Sequence, residues 1–375
     1  MYLNEFRKVI RFIPMWGCLI FCLFTNLILT FNADGADGFS RMSEALAITG
    51  TKPTIESVAT LPDGEIKEEL TAIAFSDESL YDTYDVSSEL APGYLKKVAN
   101  SPLAVSLLES KYSEVQYRVD HLAHVEADKD VYAGSYTSTG YKEFFTSFLP
   151  ALTAESSILA MLLTVYLFSY ENNTKTYYLI ACSRKGRKVD IYKAVTALTS
   201  SLLFYVVLSS ISLLIYFAHW NYEGVWDSSI SSMYNIIGDA IVEKPFITVV
   251  DLTVGQYILA TLALGSALVI ISVLFSSVIG LLVKKTYVAG LLTLIVPAFG
   301  VFLSSIFSKA GLWGAYLLTS LLPVNIWTSQ QVWFTEGGLN APFLWYETKG
   351  LIAGLIIFAV ITAGTLIYSH RRDIA

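Results

Sequence analysis

Six stretches of the chain are apolar over the length of a bilayer crossing: roughly Pro14–Phe31, Phe148–Ser169, Ala194–Ala218, Gln256–Val283, Tyr287–Phe307 and Gly350–Tyr368. A spanning segment needs ~20 such residues, and with no water to bond its peptide groups it satisfies them as a helix. A further apolar run, Leu312–Leu322, is too short to span and is followed by Pro323. With 54% hydrophobic and 15% charged residues, the chain is too apolar for an ordinary soluble domain. The expected fold is all-α: a polytopic membrane protein of six transmembrane helices, with a mainly helical extracellular insertion after the first.

Lysine and arginine mark the cytoplasmic ends of membrane helices. Arg7, Lys8 and Arg11 precede the first run. Lys175, Arg184, Lys185, Arg187, Lys188 and Lys193 separate the second from the third. Lys284 and Lys285 separate the fourth from the fifth, and Arg371 and Arg372 follow the sixth. The acids on that side are Glu5, Glu171, Asp190 and Asp373, although the whole chain carries a net charge of −7. The loop 219–255 has the opposite balance, with Glu223, Asp227, Asp239, Glu243 and Asp251 against Lys244 alone. Trp220, Trp226, Trp313, Trp327, Trp333 and Trp345 also fall on the acidic side, as an interfacial belt would. Both termini are therefore expected in the cytoplasm. The first run is read as a retained helix, because its apolar core continues to Phe31 and "NADGADG" after it lacks an A-x-A cleavage site.

Residues 1–13 place Leu3, Phe6, Ile10 and Ile13 on one helical face and Asn4, Glu5, Arg7, Lys8 and Arg11 mostly elsewhere. That pattern fits a short helix lying in the inner interface, or an extension of the first span. The insertion 32–147 holds 20 acids and 9 bases and is long enough for a modest core of its own. Within it, "SPLAVSLLESKYSEVQYRVDHLAHVEA" reads as a helix. Ser101 is its cap, Pro102 suits its first turn, and Leu103, Leu107, Val115, Val119 and Leu122 recur near the helical period. Segment 309–349 combines the short apolar run with Pro and Trp, which fits an outward re-entrant or interfacial hairpin. The resulting partition is 1–13 interfacial helix, 14–31 first span, 32–147 extracellular domain, 148–169 second span and 170–193 cytoplasmic loop. It continues with 194–218 third span, 219–255 extracellular loop, 256–283 fourth span, 287–307 fifth span, 309–349 hairpin, 350–369 sixth span and 370–375 tail.

Catalytic signatures are missing. The chain has no G-x-x-x-x-G-K-[ST] phosphate loop, no H-E-x-x-H and no G-x-S-x-G. Only Glu155 carries charge into a span, near its outer end, which argues against an ion-coupled carrier and an intramembrane carboxylate hydrolase. No enzyme activity, cofactor, metal or nucleic acid is expected for this chain. His121 and His124, with Glu126, Asp128 and Asp130 following, have metal-like spacing but read first as a solvated helix face. Cys18, Cys22 and Cys182 form no disulfide framework. The "NNT" sequon at 172–174 falls on the cytoplasmic side, where it carries no glycan. Ser272, Ser276 and Ser277, with Gly265 and Gly280, are small residues that let helices approach closely.

The basic loop carries more than charge. It runs "ENNTKTYYLIACSRKGRKVDIYK" from Glu171 to Lys193. Positive-inside charge accounts for its Lys and Arg but not for "TYYLIAC", an apolar patch in a cytoplasmic loop, which wants a protein partner.

This loop resembles that of the permease subunits of ABC-2 type exporters. There a Glu, a Thr, a short helix, an Arg-containing turn and a Lys occupy the loop between the second and third spans. Many relatives from Gram-positive bacteria carry a variant like S-T-K-x-G-R-K. Here the corresponding residues are Glu171, Thr174 or Thr176, Tyr177, Tyr178, Leu179, Ile180, Cys182, Ser183, Arg184, Lys185, Gly186, Arg187, Lys188 and Lys193. The chain departs at Cys182-Ser183-Arg184, where Ser-Thr-Lys is frequent, and at Asn173, where Gly is common. The six spans, large insertion, N-terminal helix and outward hairpin extend the resemblance over nearly the whole chain.

The resemblance implies a coupling helix at Tyr177–Cys182 that docks onto two copies of a separate ABC ATPase subunit, which holds the ATP and Mg. It also implies a second permease chain, identical or not, in the plasma membrane of a bacterium. Largely uncharged spans suit an amphipathic or lipid-like cargo such as a peptide, an antibiotic or a lipid-linked molecule. The alternative is an ABC-type signal transmitter, whose extracellular domain senses a ligand or regulates a cell-envelope enzyme without transport.

Overall fold

The computed structural model describes residues 2–75, 80–130, 139–176, 180, 188–232, 234–237, 240–283 and 285–371. The chain opens with α1 (Tyr2–Ile10) and turns into α2 (Ile13–Phe31). The insertion contributes α3 (Ala36–Thr49), α4 (Glu65–Ala74) and the long α5 (Pro102–His124), with shorter helical pieces between them. α6 (Leu149–Asn173) continues out of a π-helical turn at Lys142–Phe148, and α7 (Val189–His219) follows the basic loop. A hairpin of β1 (Tyr234–Ile237) and β2 (Ala240–Pro245) precedes α8 (Val254–Leu282) and α9 (Thr286–Lys309). Two short helices, α10 (Trp313–Thr319) and α11 (Pro323–Thr328), lead into α12 (Tyr346–Arg371).

Six of these helices are long and apolar enough to cross a membrane: α2, α6 with the turn before it, α7, α8, α9 and α12. The protein is a multi-pass membrane protein whose described regular structure is helical apart from that one hairpin. With one two-stranded hairpin among the described residues, the class remains all-α as expected. The hairpin's strands pair antiparallel, Ile236 opposite Ile241 and Ile237 opposite Ala240.

α6 is the hub and packs against α2, α7, α8 and α9. Over its apolar window 56% of residues are buried, against 6% for α9, which lies at the periphery. Close approach is built in at α8. A Cβ on Gly265 would come 2.7 Å from the Tyr205 hydroxyl of α7, and one on Gly280 would come 2.7 Å from Phe168 of α6. Ser272, Ser276 and Ser277 are buried beside them. Small residues thus let α8 sit against both neighbours, as van der Waals packing of membrane helices requires.

The segment between α9 and α12 turns back into the bundle. Asn325 of α11 donates to the Gly300 carbonyl over 3.3 Å and to the Thr319 carbonyl over 2.8 Å. Gly300 lies nine residues before the end of α9, so the hairpin tip reaches ~13 Å down that helix. Trp327 fixes its other side by donating to the Pro150 carbonyl at the start of α6, 2.9 Å away.

The insertion divides between two cores. Phe39, Met42, Leu46 and Leu70 join the core that runs through the spans. Val86, Leu90, Val98, Leu108, Tyr112, Val115, Val119 and Leu122 form a modest core made mostly of the insertion's own residues, joined by Ile247 and Leu317 from two later segments. The Ser101 cap forms, accepting from the Ala104 amide at 3.4 Å. Val115, Val119 and Leu122 of the expected stripe are buried and Leu107 is partly so, but in the first turns Leu103 is exposed while Leu108 and Lys111 are buried. Lys111 is inside because its ammonium donates to the carbonyls of Glu336 (3.0 Å), Gly338 (2.7 Å) and Ala341 (3.1 Å) and lies 3.4 Å from the Glu336 carboxylate. On the same helix, Arg118 donates to the Thr248 carbonyl (2.6 Å) and to Asp251 (2.5 Å), and His121 meets Asp251 at 2.8 Å.

Of the tryptophans on the acidic side, Trp220 and Trp333 are buried inside the protein. Their apolar area is worth more inside, and Trp333 finds its indole partner there, the Ile326 carbonyl at 2.9 Å.

Candidate coupling site

The helices reach further into the basic loop than the apolar runs indicate. α6 continues to Asn173 and α7 begins at Val189, so Glu171 and Lys193 both stand on helix. α6 ends in a Schellman turn: the Thr176 amide donates to the Glu171 carbonyl (2.9 Å) and the Lys175 amide to the Asn172 carbonyl (3.3 Å). Lys175 takes the left-handed conformation this turn requires, with φ of 57°. The Thr174 hydroxyl donates to the Tyr170 carbonyl at 3.0 Å and lies 2.8 Å from the Thr176 hydroxyl, so both threonines shape the exit.

Glu171 is the centre of a buried ionic chain. One carboxylate oxygen accepts from Lys8 of α1 at 2.6 Å, and the other accepts from Lys193 of α7. Lys8 also meets Glu5 at 2.6 Å and lies 4.6 Å from the centre of the Tyr170 ring. The Glu171 side chain is 3% exposed and that of Lys193 4%, so neither charge is solvated. Alone, each would sit badly: a carboxylate opposes the dipole at a helix C-terminus and a cation opposes it near an N-terminus. Across the cluster, two anions face two cations and the mismatch cancels. Burial pulls the Lys8 ammonium down, but its bonds to Glu171 and Glu5 outweigh that and hold it above the ordinary lysine value.

Three further contacts gather the neighbouring helix ends. Ser369 of α12 donates to Asp190 of α7 at 3.3 Å, Thr286 of α9 donates to Asn173 of α6 at 2.8 Å, and Tyr2 of α1 lies 2.9 Å from Thr199 of α7. The N-terminal helix and the end of α12 therefore share one face of the bundle with the loop.

No protein-family model, no curated protein and no solved structure matches the chain. The local geometry stands on its own.

Of the sequence-predicted site residues, the structure brings Glu171, Thr174, Thr176 and Lys193 together at the loop base. Ile180 follows, its amide donating to the Thr176 carbonyl at 3.1 Å, and Lys188 stands exposed just before α7 without capping it. Tyr177, Tyr178, Leu179, Cys182, Ser183, Arg184, Lys185, Gly186 and Arg187 lie outside the described residues.

Glu5 and Lys8 are the site members that sequence reasoning missed. Glu5 is 6% exposed, whereas Leu3, at 71%, and Ile10, at 52%, face outward. α1 thus turns its acid to the protein and its apolar face away from it. The usable signal was the i,i+3 spacing of Glu5 and Lys8, which puts opposite charges on one side of a turn. His121, the candidate metal ligand, instead pairs with Asp251, and among the described residues no three His, Cys, Asp or Glu side chains gather as a metal site.

Proposed function

We propose that this chain is the membrane-spanning permease subunit of an ATP-driven exporter of the ABC-2 type. ATP and Mg belong to a separate ATPase subunit in two copies, and a second permease chain completes the pathway. Both termini and the basic loop face the cytoplasm of a bacterial cell, and the far lobe with its hairpin faces outward. The cargo class is amphipathic or lipid-like.

The observation that carries this reading is the Glu171 clamp. A loop that only fixed topology would need its charges in solvent. Here the carboxylate at the loop base is spent on joining α1, α6 and α7, so a push on Tyr177–Cys182 would move three helices as one. α1, with its apolar face outward, suits the inner membrane surface, where each nearby Lys or Arg adds ~1 kcal/mol of attraction. The reading is tested by reconstituting the chain with the ATPase that co-purifies with it and measuring ATP-dependent export of a fluorescent lipid-linked peptide from vesicles. Export that continues without ATP hydrolysis would remove it.

One observation favours the signalling alternative. The far lobe is tied by Lys111 to 336–341 and through it to α12, so a ligand on that lobe would be felt in the spans. In that case ATP hydrolysis responds to the far-lobe ligand while no cargo crosses.

A further inference from the structure

Inside the spans, Asn26 of α2, Glu155 of α6 and Ser212 of α7 meet. The Asn26 amide nitrogen donates to one Glu155 oxygen at 2.8 Å and to the Ser212 hydroxyl at 3.2 Å. This fixes the orientation of the amide, because turning it over would set its oxygen against the carboxylate. Asn26 is 1% exposed, and its side-chain oxygen is left buried with no hydrogen-bond partner. Glu155 is only half-buried, and one turn further along α6 Ile158 is 43% exposed. That flank of α6 is uncovered by neighbouring helices. Glu155 lies six residues into α6, ~9 Å from its start. No basic side chain pairs with it among the described residues.

A carboxylate at this depth is costly unless a cation accompanies it, and intramembrane acids mark binding sites for that reason. The site offers two acceptors, the second Glu155 oxygen and the bare Asn26 oxygen, and among the described residues no cationic group to fill them. We propose that Glu155 and Asn26 form a lateral binding site for the ammonium headgroup of a cationic amphiphile. A primary ammonium brings three donors and a positive charge: one donor pairs with the Glu155 carboxylate, and a shift of the sealed Asn26 side chain lets a second reach its oxygen. The half-open flank beside Ile158 accommodates an alkyl tail in the bilayer. A bare metal ion fits less well, since hard cations want about six oxygens and the triad supplies fewer. The inference does not rest on the exporter reading, because the site is complete in this chain without an ATPase.

The test uses the full chain in maltoside micelles, with dodecylammonium as probe and dodecanol and sodium chloride as controls. Dodecylammonium should bind saturably and dodecanol at least tenfold more weakly. Glu155→Gln, which keeps an acceptor for the Asn26 amide, should reduce dodecylammonium binding at least tenfold. A second measurement needs no variant: labelling of Glu155 by a hydrophobic carbodiimide, read by mass spectrometry, should slow severalfold with dodecylammonium and not with dodecanol. Equal binding of amine and alcohol, or undiminished labelling of Glu155 in saturating amine, overturns the proposal. Protection by sodium chloride in place of the amine also overturns it and assigns the site to a metal ion. Because binding is measured without ATP or a partner, failure here leaves the exporter reading standing.

Discussion

Lys8 and Glu171 lie 163 positions apart in the chain, yet the lysine ammonium sits 2.6 Å from a glutamate oxygen that is almost wholly buried. The contact joins the first helix to the base of the basic loop. With Lys193 on the other oxygen, Glu171 is shared by two lysines, and its loss strands the buried Lys193 and leaves Lys8 with Glu5 alone. Glu171→Gln should therefore destabilise the protein by ~3–5 kcal/mol, the usual cost of breaking a buried pair from one side. Thermal unfolding in detergent checks this. Lys8→Met combined with Glu171→Gln should cost less than the two changes summed, because each removes the other's partner.

The Schellman turn gives a prediction of opposite sign. Lys175 holds a left-handed conformation that costs a non-glycine residue ~1 kcal/mol. Lys175→Gly should raise the thermal midpoint, offset in part by the greater freedom of glycine in the unfolded chain. A lowered midpoint would mean that the lysine side chain does something at the loop exit that the turn does not require.

The spans were legible because a bilayer allows a segment of that length and apolarity only one backbone solution. The cap of α5 was legible for a similar reason: Ser101 and Pro102 act within one turn. Lys111 was not. Its burial depends on carbonyls more than 220 positions away, at Glu336, Gly338 and Ala341, and the apolar period that correctly buried Val115, Val119 and Leu122 gave no reason to bury a lysine. Glu5 and Lys8 failed similarly, since charge on a short helix reads as solvated until its partner on α6 is in place. The hairpin at Tyr234–Pro245 lay in a loop read only for its charge.

Lys111→Met tests the far lobe. It keeps the stem's bulk but strips the ammonium from three carbonyls and the Glu336 carboxylate, and should cost ~3 kcal/mol or more. For the same reason the fragment 32–147 alone should lack a cooperative unfolding transition, as Phe39, Met42, Leu46 and Leu70 pack into the core of the spans and Lys111 loses its partners. A sharp transition by circular dichroism would contradict the shared core.

Asp251 sets an acid-side dependence. Burial pushes its carboxyl up, but the bonds from His121 and Arg118 outweigh this and hold it below the usual aspartate range. Its contribution to stability is present above the ordinary value of ~4 and is lost as pH falls through the lowered one. The gap in thermal midpoint between the wild-type protein and Asp251→Asn should be widest near neutrality and close in acid. Asp251 is more than half exposed, so that gap should be small.

The exporter reading requires the loop to dock an ATPase through Tyr177–Cys182. The most direct measurement is ATP hydrolysis by the complex that co-purifies with the tagged chain, compared among wild type, Leu179→Asp and Lys188→Ala. A charge forced into an apolar contact costs several kcal/mol, so Leu179→Asp should lose the ATPase and its activity while the chain still inserts. Lys188→Ala removes one of several nearby charges and should give a mild defect, on the order of 1 kcal/mol, that alters with salt. If Leu179→Asp retains the ATPase, its hydrolysis and ATP-dependent export, the loop is a topogenic charge cluster and the exporter reading is contradicted.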